Sequence, residues 1–143
     1  IAREKAAAYE VADDELVITA DTVVIVGDDI LGKPHDAAEA HVMLRKISGR
    51  IHHVVTGVCM KTKREQHSFS VVTGVTFKEL TDAEIDYYIE HYKPFDKAGA
   101  YGIQEWIGYI GVTGLDGSYY NVMGFPVQRV YAELTNRFKI VQY

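Results

Sequence analysis

Two stretches dense in β-branched residues, 53–60 and 69–77, have the charged and polar residues 61–66 between them. Such side chains fit a pleated, half-buried surface, and two runs joined by so short a polar link read as an antiparallel hairpin. A sheet must therefore lie at the centre of the fold.

The remaining segments supply strands and helices around it. Residues 16–20 form a short apolar run suited to a buried strand, and residues 23–26 read as a second strand. Gly27, Asp28 and Asp29 carry turn chemistry before Ile30 and Leu31. Asp36 has the character of a helix N-cap. Ala40, Met43, Leu44 and Ile47 follow at helical spacing, and Gly49 suits the residue that ends the helix. Thr81 and Glu84 form a capping-box pair ahead of Ile85, Tyr88, Ile89 and Tyr92, and Pro94 closes that helix. Residues 106–112 are expected to be a strand and 114–117 a turn. Phe125 and Pro126 start a last helix with Val130 and Leu134 on its buried side. The expected class is α/β (mixed α+β), a twisted mixed sheet flanked by helices, in one domain over residues 1–143.

Composition narrows the function. The net charge is −5, from 15 Lys+Arg and 20 Asp+Glu, so the positive field of a general nucleic-acid binder is missing and no nucleic-acid partner is expected. No run of 18 apolar residues occurs, so no membrane span is expected. The one cysteine, Cys59, excludes an intrachain disulfide and reads as a small buried hydrophobe. The expected compartment is the cytoplasm. Residues 1–9 read as the middle of a helix with no N-cap before Ile1, so further sequence is expected upstream.

Three segments carry chemistry. Asp21 and Thr22 stand at the end of an apolar strand, where an unpaired carboxylate is costly to bury. Asp21 reads either as a strand-end carboxylate or as a metal ligand or general base. Neighbouring strand residues face opposite ways, so a bend is expected if both are to line one site. Gly32-Lys33-Pro34 presents one cation on a defined turn, or a simple surface hairpin lysine. Asp96-Lys97-Ala98-Gly99-Ala100-Tyr101-Gly102-Ile103-Gln104 is a loop whose glycines allow close approach of a ligand. Lys97 supplies charge and Gln104 offers both donor and acceptor, as reading a base edge requires; the bland reading is a tight connection with Tyr101 packed in the core. Gly27 to Lys33 has the spacing of a phosphate-binding loop, but Pro34 replaces the required hydroxyl and Asp28 and Asp29 would repel phosphate. No zinc-ligand cluster stands out, and His52 and His53 read as a solvated pair.

Together these segments, with Ala20-Asp21-Thr22-Val23-Val24, Val55-Thr56-Gly57-Val58 and Gly117-Ser118-Tyr119-Tyr120-Asn121-Val122-Met123-Gly124-Phe125-Pro126, resemble the Maf family of nucleoside triphosphate pyrophosphatases over almost the whole chain. The resemblance implies a sheet with a central cleft, similar to the inosine triphosphate pyrophosphatases. It implies hydrolysis of a nucleoside triphosphate to the monophosphate and pyrophosphate with a divalent cation, Mg²⁺ or Mn²⁺. The Tyr101-Gly102-Ile103-Gln104 version resembles the dTTP/UTP branch. It implies that Asp21 is the proton acceptor or metal ligand, that Lys5, Lys33 and Lys97 contact phosphate, and that Thr22 and Gln104 bear on base choice. It also implies a homodimer, and a strand with a Ser-x-x-Arg turn ahead of Ile1. Glu105-Trp106 stands where the family usually has Gly after the glutamine. The alternative function is a nucleotide-binding or septum-formation module without turnover.

Overall fold

In the computed structural model, residues 1–140 are described. Five strands form one sheet: β1 (Val17–Val26), β2 (Asp29–Leu31), β3 (Ile51–Lys61), β4 (Gln66–Phe77) and β5 (Val112–Asp116), in the order β2-β1-β3-β4-β5. The expected hairpin is β3–β4, paired from Ile51 opposite Thr76 to Lys61 opposite Gln66. The mixed α/β class holds. All pairings between described strands are antiparallel, where a mixture of parallel and antiparallel was expected.

The helices are α1 (Ala2–Ala7), α2 (Ala37–Ile47), α3 (Asp82–Tyr92), α4 (Trp106–Gly111), α5 (Tyr119–Met123) and α6 (Val127–Asn136). Their caps follow the sequence. The Asp36 carboxylate accepts from the Glu39 amide at 2.8 Å, and Thr81 and Glu84 make both bonds of the capping box. Gly49 follows α2 at φ 67°, a backbone conformation open to glycine without steric cost.

Even-numbered positions of β3, from His52 through Val54, Thr56 and Val58 to Met60, are buried along one face. At one end of that face Val24, Val26, Val54, Val75 and Phe77 pack against Leu44 and Ile47 of α2, Ile85 and Tyr88 of α3, and Ile107 of α4. At the other end Val58 and Met60 meet Val130 of α6. Cys59 points to the opposite face, where Ala2 and Ala6 of α1 cover it completely.

Three expectations are corrected. Residues 16–20 and 23–26 are not separate strands: β1 runs unbroken from Val17 to Val26. Residues 106–111 are helical, and the strand begins at Val112 and includes most of the expected turn. The β-prone Trp, Ile and Tyr of that segment yield to packing, because Ile107, Gly108 and Gly111 are buried at helical spacing. A Cβ on Gly111 would stand 2.9 Å from the Phe77 ring, and one on Gly108 would overlap the Ile103 carbonyl. His52 is not solvated. It is fully buried between Phe77 and Tyr101, and only His53 is exposed.

Candidate active site

The strand β2 covers β1 only from Val24 to Val26. Among the described residues, the preceding part of β1 pairs with β3 on one side and with no strand on the other. This open edge is one wall of a cleft of about 270 Å³. Lys5, Asp21, Thr22, Lys33, Lys97 and Gln104 all line it. The open edge also accounts for the joint presence of Asp21 and Thr22. The register from Val17 to Ile25 opposite β3 is continuous, so the expected bend is absent. The two side chains leave opposite faces of the strand, and an edge can be reached from both.

On the α1 face, Thr19 donates its hydroxyl proton to the Ala2 carbonyl at 2.6 Å and fixes α1 against β1. One turn along, the Lys5 ammonium reaches the edge. It donates to the Ala20 carbonyl at 3.1 Å and lies 3.3 Å from Asp21 Oδ1. Asp21 Oδ2 has no hydrogen-bond partner among the described residues. On the other face the Thr22 hydroxyl shares a 2.9 Å hydrogen bond with Thr56, its cross-strand partner.

Lys33 enters on the turn that follows β2. Its ammonium forms no hydrogen bond or ion pair among the described residues. The opposite wall is the loop after α3. Lys97 pairs with Asp96 at 3.2 Å. That hydrogen bond, and more weakly the charge of Lys33, holds the Asp96 carboxyl below its ordinary range. The loop turns through a short 3₁₀ segment, Ala98–Ala100, in which Gly99 (φ 72°) and Ala100 (φ 63°) are both left-handed. Glycine adopts that region freely, but Ala100 does so at a cost, and such conformations persist where surrounding contacts over-determine them. Here the Tyr101 ring is buried beside the loop, its hydroxyl 2.6 Å from His52 Nε2.

The cleft thus gathers three ammonium groups against two carboxylates in a chain of net charge −5. Among the described residues no group of three or more His, Cys, Asp and Glu could hold a metal ion. A hard cation carried in by phosphate oxygens needs only one or two protein carboxylates. Asp21, with one oxygen unbonded, suits that mode and not a resident metal cage.

One wall lies outside the expected site residues. Val122, Met123 and Gly124, at the end of α5, close the cleft. Buried Asn121 anchors this helix by donating to the carbonyls of Val54 and Val71 and to the Thr73 hydroxyl. The signal for α5 is a start-and-stop pair: Ser118 caps the Asn121 amide, and Gly124 ends the helix at φ 117°.

A family model described as "Maf-like protein" matches residues 1–137. The chain belongs to the Maf family. Among Maf relatives, a protein of Phocaeicola vulgatus named "dTTP/UTP pyrophosphatase" is 62% identical over 94% of this chain and 70% of its own length. A protein of Parabacteroides distasonis with the same name is 57% identical over 94% of the chain and 70% of that relative. One of Flavobacterium psychrophilum, also so named, is 49% identical over 95% and 71%. Among the described residues no helix is long and apolar enough to cross a membrane.

Proposed function

We propose that this Maf protein is a nucleoside triphosphate pyrophosphatase that hydrolyses dTTP and UTP to the monophosphate and pyrophosphate. The observation that carries the reading is the convergence of Lys5, Lys33, Lys97 and Asp21 with Gln104 on one cleft. The name shared by relatives up to 62% identical supports the substrate. The cleft lies near the lower end of small-molecule sites, about 300–1,000 Å³; being open, it leaves a phosphate tail room to extend outward.

In this reading water attacks the α phosphorus, a P–O bond forms, and the bond to the bridging oxygen of the β phosphate breaks. Pyrophosphate leaves with the electron pair. Asp21 orients the water and accepts its proton, while Lys5 holds the carboxylate at the open strand edge. Lys33 and Lys97 neutralise charge that builds on the phosphoryl oxygens, a role that requires fixed cations rather than bond chemistry. A divalent cation bound to the substrate phosphates and Asp21, Mg²⁺ or Mn²⁺, would add further charge neutralisation there. Gln104 and Thr22 lie where the base is read. The hydroxyl of Thr22 acts together with Thr56, since the two share one hydrogen bond.

The chain works as one domain in the cytoplasm, where its nucleotide substrates are. It pairs as a homodimer, the commonest symmetric assembly; light scattering tests that. The decisive assay is pyrophosphate release from dTTP, UTP and GTP with Mg²⁺ or Mn²⁺. Turnover of dTTP and UTP ahead of GTP is expected. Nucleotide binding without release would give the place to a non-catalytic binding module.

A further inference from the structure

Behind the loop that bears Lys97 and Gln104 runs a hydrogen-bond relay whose two side chains do not line the cleft. Tyr88 belongs to α3 and is fully buried. Its hydroxyl accepts from the Gly102 amide at 3.0 Å and donates to Glu105 Oε1 at 2.6 Å. A phenol has one proton to give and lone pairs to receive with, so both bonds form together. Burial, and next the bond to Glu105, push the phenol pKa upward and keep that proton in place.

The relay touches the cleft wall at three points. Gly102 lines the cleft and presents its backbone there. A Cβ on Gly102 would lie 2.8 Å from both Glu105 Oε1 and Lys97 Cε, so the Lys97 stem rests against the same residue. Glu105 directly follows Gln104 in the chain. A buried amide that loses its acceptor loses the compensation for leaving water, so removing the Tyr88 hydroxyl weakens the hold on this segment's shape.

We infer that Tyr88 and Glu105 are positioning residues that lock residues 97–104 in the nucleotide-binding shape without touching the nucleotide. The kinetic part of this inference rests on the pyrophosphatase reading; the structural part does not.

The test combines hydrogen exchange of the Gly102 amide in the ligand-free protein with KM and kcat for dTTP. The variants are Tyr88→Phe, Glu105→Gln and Glu105→Ala. Tyr88→Phe is expected to speed Gly102 exchange about tenfold and raise KM about tenfold, with kcat within about threefold. Glu105→Gln keeps an acceptor and stays near wild type on every readout, whereas Glu105→Ala follows Tyr88→Phe. Unchanged exchange in Tyr88→Phe overturns the inference. So does faster exchange with unchanged KM, or a loss confined to kcat. If Tyr88→Phe does not fold, equal exchange and KM in the two Glu105 variants overturn it instead. If the wild-type protein releases no pyrophosphate, the functional reading fails. The Kd for α,β-methylene-dTTP then replaces KM, and the same comparison decides the relay.

Discussion

The amide of Gly99 donates to the carbonyl of Gly32 at 3.1 Å. One hydrogen bond thereby ties the loop carrying Lys97 to the turn carrying Lys33, so two cations far apart in sequence share one backbone support. Gly99 is also pressed against β1, where an added Cβ would stand 2.9 Å from Val24 Cγ2.

Gly99→Ala therefore meets both a left-handed backbone and a close wall. We expect a loss of about 1–3 kcal/mol in stability, read by urea denaturation, together with a raised KM for dTTP as the two lysines lose their common support.

Asp21→Asn keeps the size of the side chain and an oxygen for Lys5 but cannot take a proton. Turnover is expected to fall at least about a hundredfold, with the Kd for a non-hydrolysable nucleotide little changed. Near-normal pyrophosphate release would remove Asp21 from the proton-transfer role.

Gln104 offers a donor and an acceptor at the cleft wall. Gln104→Ala is expected to change the dTTP:GTP ratio of kcat/KM by about tenfold while slowing dTTP turnover less. A uniform decline across all bases, measured by the same release assay, would contradict a part in base choice.

Burial first, and the neighbouring His53 second, lower the His52 imidazole from 6.5 to about 4. The unfolded chain then binds a proton that the folded one refuses, so stability falls as pH drops from about 6.5 towards 4 and levels off below that, by at most about 3 kcal/mol. Glu84, Asp96 and Glu133 have lowered carboxyl pKa values and lose their contribution only as pH falls below the ordinary carboxylate range, so the two windows separate. Thermal melts across pH 4–7 should show the slope in the wild type and its absence in His52→Asn. An equal slope in both would assign it elsewhere.

The residues differ in how openly they announce their place. The β3–β4 hairpin and the caps at Asp36 and Thr81 are legible because each rests on local chemistry: side-chain shape, one carboxylate, one hydroxyl. The six residues proposed for the site stand out through their segments or through the family resemblance, but their meeting in one cleft depends on how little of β1 the three-residue β2 covers, which no pattern in β1 reveals. The helix at Trp106 escapes because glycines usually weaken helices; here Gly108 and Gly111 are what allow α4 to press against Ile103 and Phe77. His52 escapes because its hydrogen-bond partner, Tyr101, is 49 residues away. Charge and periodicity carry no information across such a distance.

The short β2 has one more consequence. A strand left bare along one side is a template onto which another polypeptide can add, the usual route to edge-to-edge aggregation. Nature often blunts such borders with lysine, and here the Lys5 ammonium occupies the Ala20 carbonyl that an incoming strand would need. Among the described residues, the ammonium that lines the cleft thus also covers one acceptor of that strand border.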